Sequence, residues 1–247
     1  MGGHATFGPN AMASDRQEQR HGLPRALIGV LGYVALFAMV LLVPAGTVRW
    51  PAAWLLLGVL FIARVAGTIV LHREQPALLA ERSKPPFQRG QVGADRILLP
   101  AAMASFAGIV AFASWDVWHR QLLGVPPVWL RALGLVAFAA GWLVVHAALR
   151  ANAFAVTVVR HQAERGHTVS VAGPYAIVRH PMYAGLMWLI LGLALWLGST
   201  AAAVATAVPV AILSLRIVVE EKMLARSLGD YTAYTRRVRW RLIPGLW

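Results

Sequence analysis

The chain has 247 residues, 58% hydrophobic and 13% charged, with a mean hydropathy of +0.60. An ordinary soluble domain is about 45–50% apolar and about 25% charged, so this composition excludes a typical soluble enzyme and a disordered polar chain and points to a membrane protein. The net charge is +13, from 23 basic and 10 acidic residues, and there is no cysteine. A soluble protein so charged would be a nucleic-acid candidate, whereas a membrane protein gathers Arg and Lys in its cytoplasmic loops. Zero cysteines exclude disulfides, thiolate metal sites and a cysteine nucleophile.

Residues 1–24 carry no apolar run. They read as a disordered cytoplasmic tail and not as a signal peptide. Six apolar segments follow, near 26–43, 51–71, 97–115, 129–149, 183–198 and 201–219. A helix needs about 20 such residues to cross a bilayer. Only Gly198-Ser199-Thr200 separates the last two, which predicts a tight helical hairpin with a short first arm. With the N-terminus inside, 19 of the 23 basic residues fall in 1–25, 72–96, 150–182 and 216–247. Arg49, Arg120 and Arg131 lie outside, and Arg64 lies within the second span. This asymmetry places both termini in the cytoplasm. The +13 charge therefore reads as topology and not as a nucleic-acid footprint. The expected fold is an all-α polytopic bundle of about six transmembrane helices. A four-helix membrane region (25–149) precedes a polar-loop and hairpin region (150–247).

Within the spans, Arg64 and His146 are the polar exceptions, and intramembrane ionisable groups are functional candidates by default. Arg64 can snorkel toward the inner surface, and His146 reads as a buried hydrogen-bonding histidine. The loop 72–96 is rich in Pro and Gly and is expected to be irregular. The eight histidines offer no i,i+4 metal pair on a helix, so no metal site is assigned. The loop 150–182 is the densest polar stretch between spans.

That loop carries Gly166-His167-Thr168-Val169-Ser170, then Gly173-Pro174-Tyr175, then Arg179-His180-Pro181-Met182-Tyr183-Ala184-Gly185. Val169 and Val171 indicate a short extended piece, and Gly173-Pro174 a turn. Pro181 suits the first turn of a helix, where its missing N–H is no loss. Arg179 and His180 then stand at a helix N-terminus on the membrane surface, a favourable place for an anion. A second cluster, Arg216…Glu220-Glu221-Lys222, ends the sixth span. Arg216 and Glu220 share a helix face, as an i,i+4 ion pair or as parts of a site. Two adjacent carboxylates at that depth call for a cationic partner. Tyr175 and Tyr183 read equally as interfacial aromatics, and His167 as a solvated loop histidine.

The ordered set resembles the isoprenylcysteine carboxyl methyltransferase family of integral-membrane enzymes. It comprises His167…Gly173-Pro174-Tyr175…Arg179-His180-Pro181-Met182-Tyr183-Ala184-Gly185 and Arg216…Glu220-Glu221. The tail, Leu228-Gly229-Asp230-Tyr231…Tyr234…Arg237-Val238…Leu242-Ile243-Pro244, is similar to the family's tail. The likeness covers about residues 140–247, and Pro76-Ala77-Leu78-Leu79-Ala80-Glu81-Arg82 looks like a loop of bacterial members. It implies an S-adenosylmethionine cofactor held by His167, Thr168, Val169, Ser170, Tyr175, Arg179, His180, Pro181, Met182, Tyr183, Glu220 and Glu221. It also implies Arg216 and Glu220 as catalytic residues, with Arg216 on the acceptor. Arg160 or Gln162 stands near a family glutamine. Related phospholipid N-methyltransferases carry Gly-x-Gly in an earlier span, and Ala139-Ala140-Gly141 here argues against a phosphatidylethanolamine acceptor.

The chemistry suits those residues. A cofactor ammonium needs an anion, available from Glu220 or Glu221. Its carboxylate needs donors, available from Arg179, His180 or helix amides. Its adenine needs a flat wall, available from Tyr175 or Tyr183. The acceptor would be lipophilic, reaching the site from the inner leaflet of a bacterial plasma membrane, with a prenylated or small lipid carboxylate favoured. Residues 222–247 mix apolar and Arg residues and are expected to lie at the interface as a cap or an anchor. Two other readings remain. One is a sterol-reductase-like enzyme using NADPH, since such enzymes carry a similar Arg-His-Pro-x-Tyr segment. The other is a non-catalytic carrier or scaffold, for which Pro209 within the sixth span supplies a helix break.

Overall fold

The computed structural model describes the backbone from Pro9 onward and the side chains from Leu23 to Trp247. The tail expected to be disordered, 1–24, lies largely outside the described side chains. The described residues form helices and loops without a strand. Five helices are long and apolar enough to span a membrane, and a sixth, shorter apolar helix completes the bundle.

Helix α1 runs from Pro9 to Ala45 and α2 from Pro51 to Glu74. Pro51 occupies the first turn of α2, where no amide is needed. The loop that follows is less irregular than its composition predicts. Pro76 starts a short helix, α3 (Pro76–Arg82), which buries Leu78 against the bundle. Helix α4 (Asp95–Trp115) continues through a π turn at Asp116–Arg120. Helix α5 spans Val128–Ala151, and α6 spans Pro181–Leu197. Gly198, at φ +100°, ends α6 in the left-handed conformation that glycine adopts without strain. Ser199 then caps α7 (Thr200–Ala205), its Oγ accepting from the Ala202 amide at 2.9 Å. Helix α8 (Ala207–Ser227) follows after a break at Thr206. The break has a cause: Pro209 has no amide to bond the carbonyl four residues back. It lies next to the hairpin, at the end of the span far from Arg216.

The exterior of the bundle is apolar. Ile28, Leu36, Met39, Ile62, Val136, Leu143 and Val208 are more than half exposed. Such a continuous apolar surface needs lipid around it. The tightest packing joins α5 to α6. A Cβ on Gly192 would stand 2.5 Å from the Gly134 carbonyl oxygen, and one on Gly141 would stand 2.7 Å from that of Gly185. Glycines at these contacts let the two backbones touch, the usual device for helix association in lipid. Through this contact α5 fixes where α6 begins, and so where His180 and Tyr183 point.

At the opposite end, α8 closes with Leu228-Gly229-Asp230 and the chain forms α9 (Tyr231–Arg237). Residues 238–247 are not helical. The interfacial segment is thus one short helix and a folded strap.

Candidate functional site

One cavity dominates the end of the bundle where α5 finishes and α6 starts. The space between its walls is about 760 Å³ when the open mouth is counted. The loop 152–180 forms one side, the first turn of α6 the floor, and α8 with α9 the other side.

The positions of the walls follow from three anchors. The first is Asp95, in the first turn of α4 and fully buried. Its Oδ1 accepts from Arg216 Nε at 2.7 Å. Its Oδ2 accepts from Gln91 Nε2 and from the Val159 amide, each at 2.8 Å. Arg216 also donates to the Thr157 carbonyl, and its guanidinium lies 5.7 Å from the Tyr183 ring centroid. A single carboxylate thus ties the loop 152–180 to α4 and α8. Arg216 lines the cavity, and its ion pair runs to Asp95, not to Glu220 one turn away.

The second anchor is Glu221. Its Oε1 accepts from Arg179 Nε at 2.6 Å and lies 3.2 Å from His180 Nε2. Its Oε2 accepts from Arg241 Nε at 2.9 Å. Arg179 Nη1 reaches the carbonyls of Val238 and Arg239 at 3.0 and 2.7 Å. The backbone amides of Arg179 and His180 donate to Trp240 and Arg241, each at 2.9 Å. Arg179, His180 and Glu221 therefore strap the C-terminal residues over the start of α6.

The third anchor is Gln162, completely buried. It donates to the Phe154 carbonyl at 2.8 Å and accepts from Arg165. This holds the loop so that His167 packs against Phe154 at a tilt of 33°, centroids 4.6 Å apart. Burial, helped by the neighbouring His161 and Arg165, pulls the His167 pKa down to about 4. The ring is neutral at physiological pH and reads as a packed wall.

Glu220 stands apart. It is the one carboxylate lining the cavity among the described residues. Tyr183 Oη donates to its Oε2 at 2.6 Å, and no donor among the described residues meets its other oxygen. Around it stand Tyr175, Tyr183, Tyr231 and Tyr234. Tyr234 Oη donates to the Tyr175 carbonyl at 2.8 Å, and burial pushes the Tyr234 pKa up to about 12. The Tyr231 hydroxyl is buried without a partner, and burial raises its pKa as well. These phenols stay protonated.

The structure therefore brings His167, Thr168, Val169, Ser170, Tyr175, Arg179, His180, Met182, Tyr183, Arg216 and Glu220 around one cavity. Pro181 is buried in the first turn of α6, and Glu221 turns into the strap; neither lines it. Arg160 lines the cavity beside them, tied to Glu81 and Glu164. Sequence reasoning missed Asp95, Phe154 and the orphaned Tyr231 hydroxyl. The spacing of Tyr231 and Tyr234, one turn apart on a short helix, was the available signal for that wall. Asp95 left none, because a lone acid at the start of a span looks like an ordinary helix-dipole residue.

Residues 129–231 match the model of the phospholipid methyltransferase family. That segment holds α5, the loop, α6 and α8, which build the cavity. No curated protein matches the chain. Among solved structures, the eukaryotic intramembrane Ras methyltransferase, isoprenylcysteine carboxyl methyltransferase, is similar at 18% identity and a TM-score of 0.48, covering 87% of this chain and 74% of that one. The chain is a polytopic helical membrane protein whose cavity-forming segment is similar to membrane methyltransferases.

Proposed function

We propose that this protein transfers a methyl group from S-adenosylmethionine to a lipophilic acceptor in the cavity bounded by α6, α8 and the loop 152–180. The observation that carries the reading is Glu220: a carboxylate with one oxygen fixed by Tyr183 and the other open to an aromatic-walled void. A fixed anion among aromatic rings suits a ligand that joins an ammonium to an adenine. The family match over 129–231 supports the same chemistry.

The donor set fits the cofactor. Glu220 would hold the ammonium. The Tyr231 hydroxyl, lacking any protein partner, can donate to the carboxylate. The ring of Tyr175, Tyr234, Phe154 or His167 offers a flat surface for adenine. Arg179 and His180 line the same void, but their strong contacts are with Glu221. When bound, the cofactor supplies an electrophilic sulfonium methyl. The protein then has to position the acceptor in line and exclude water. Tyr183 fixes the Glu220 carboxylate, and the strap 238–247 shields the start of α6. Arg216 lines the cavity with its charge already balanced by Asp95, so it would orient an acceptor through its remaining donors. A carboxylate or thiolate acceptor needs no base. An amine must lose a proton, and Glu220 is the carboxylate at hand.

The cavity lies at the end of the bundle that carries 72–96, 150–182 and 216–247. Those segments hold most of the basic residues, so the positive-inside rule faces it to the cytoplasm. The setting would be a bacterial plasma membrane, with cofactor arriving from the aqueous side and acceptor from the inner leaflet.

The test is calorimetry with the purified full chain in detergent. S-adenosylmethionine binds the wild type, and Glu220→Ala binds at least ten-fold more weakly. Equal affinity in the two proteins overturns the assignment. A thermal-shift comparison with NADPH separates the reductase reading, for which the Glu220 carboxylate is a poor neighbour of a phosphorylated ligand. Membranes incubated with methyl-labelled cofactor then reveal the acceptor.

A further inference from the structure

A second polar cluster lies inside the membrane-spanning region, between α1, α2 and α5. Arg64 stands on α2, ten residues and so about 15 Å before its end at 1.5 Å per residue. Its guanidinium lies 4.5 Å from the Tyr33 ring centroid and 6.0 Å from that of Trp142. Its Nε is buried and has no hydrogen-bond partner. One turn along α5 from Trp142 is His146, their rings 5.6 Å apart. The Trp142 Nε1 and the His146 Nδ1 are buried and partnerless as well. His146 Nε2 lies 3.0 Å from the Ala63 carbonyl, so in the neutral ring Nε2 carries the proton and Nδ1 is an acceptor. Gly67 makes room for the ring, since a Cβ there would fall 1.8 Å from His146 Cε1.

Three orphaned polar atoms in one place are unusual. Each is costly when buried unpaired. A second arginine adds to the imbalance. Arg82, at the end of α3, donates from Nη1 to the Ala155 carbonyl at 2.7 Å and lies 3.9 Å from Met182 Sδ. Both of those residues line the cavity. Burial, then the nearby Arg64 charge, pulls the Arg82 pKa down to about 10. Neither arginine forms an ion pair among the described residues. Two unneutralised guanidinium groups, one within a span and one in the loop that follows it, are costly unless an anion joins them. The aromatic faces of Tyr33 and Trp142 offset part of that cost but leave the N–H donors empty.

We propose that Arg64, Arg82 and Trp142 form a binding site for the anionic head of an amphiphile, reached from the lipid side and adjoining the cavity. The ligand is a carboxylate or phosphate oxygen on a hydrocarbon chain. Its oxygens take the Arg64 Nε and Trp142 Nε1 donors, and a hydroxyl or protonated oxygen on the same head can donate to His146 Nδ1. The site stands whether or not the cavity transfers a methyl group, because it concerns lipid binding alone.

The experiment uses the full chain in dodecyl maltoside with brominated lipids as quenchers of tryptophan fluorescence. The probes are 9,10-dibromostearate, its methyl ester, brominated phosphatidylglycerol and brominated phosphatidylcholine. The ester and the phosphatidylcholine measure nonspecific partition into the micelle. The excess quenching by the acid or the phosphatidylglycerol reports the site, and the stronger of the two identifies carboxylate or phosphate as the source. Arg64→Gln and Arg82→Gln should each raise the midpoint about ten-fold, the loss of one charge-assisted hydrogen bond. Arg64→Lys keeps the charge and should stay within a few fold, with melting temperatures confirming that each variant is folded. Acid and ester quenching alike, or folded Arg64→Gln and Arg82→Gln proteins with wild-type midpoints, overturns the proposal and leaves water as the occupant. Cofactor calorimetry on the same samples fails separately if the methyltransferase reading is the one in error.

Discussion

Arg216 Nε and Asp95 Oδ1 meet at 2.7 Å although 121 residues separate them in the chain. Both side chains are buried, and the same carboxylate holds Gln91 and the Val159 amide. Removing one partner of a buried ion pair costs about 3–5 kcal/mol, because the other charge is left bare. Asp95→Asn should therefore lower the melting temperature in detergent by several degrees and weaken cofactor binding, since the loop wall depends on it. The double variant Asp95→Leu/Arg216→Met should recover part of the melting temperature without recovering binding. Thermal unfolding beside calorimetry reads both. An Asp95→Asn protein as stable as wild type would refute the anchoring role.

Glu220 and Glu221 are adjacent and have separable duties. Successive residues on a helix point about 100° apart, so one faces the cavity and the other the strap. Glu220→Gln should lose cofactor affinity about ten-fold or more with little change in stability. Glu221→Gln should instead loosen residues 238–247, because Arg179 and Arg241 lose their shared carboxylate. Limited proteolysis should then remove the C-terminal residues faster than in wild type. The prediction fails if both variants lose binding and strap protection equally.

How much of this was legible in the sequence depends on the range of the interaction. The spans were legible because hydropathy is summed locally, and the short α6 and the break at Gly198 were visible in the same way. Pro76 at a helix start was available too, but the surrounding Pro and Gly obscured α3. The cavity residues His167 to Tyr183 were found as an ordered motif. What stayed hidden was pairing across the fold. The sequence offered Arg216 and Glu220 as an i,i+4 pair, and only tertiary structure brings Asp95 in to take the arginine. Nor does a pair of adjacent glutamates state which one faces a ligand. Arg64 and Arg82 were separately visible, one as an intramembrane exception and one as the end of a motif, and their proximity was not.

His167 makes stability depend on pH. Its pKa falls from the ordinary 6.5 to about 4 on folding, chiefly by burial. Between those values the unfolded chain binds a proton that the folded chain does not, so stability rises with pH across that window. The contribution is complete above pH 6.5 and is lost as pH falls from 6.5 toward 4. His167→Phe keeps a ring on Phe154 and removes the titration. Its melting temperature should decline less than that of wild type between pH 7 and pH 5, which differential scanning fluorimetry across buffers can measure. Parallel declines in the two proteins would show that His167 does not titrate as described.

The glycine contact between α5 and α6 should be the least tolerant place in the bundle. A Cβ on Gly192 would meet the Gly134 carbonyl oxygen at 2.5 Å and the Phe138 amide nitrogen at 2.5 Å, both of them backbone atoms that no rotamer change can move. The two helices must separate to admit it. Overpacking of this kind costs about 1–3 kcal/mol, and here it also shifts the start of α6, where His180 and Tyr183 stand. Gly192→Ala should therefore lower the melting temperature and reduce cofactor affinity together, although residue 192 lies two and a half turns or more from the cavity residues. Gly58 is the control. A Cβ there meets nothing within 4 Å, so Gly58→Ala, at a helical position, should leave binding unchanged and stability equal or slightly higher. A Gly192→Ala protein that matches Gly58→Ala in both measurements would mean that the α5–α6 backbone contact does not set the position of the site.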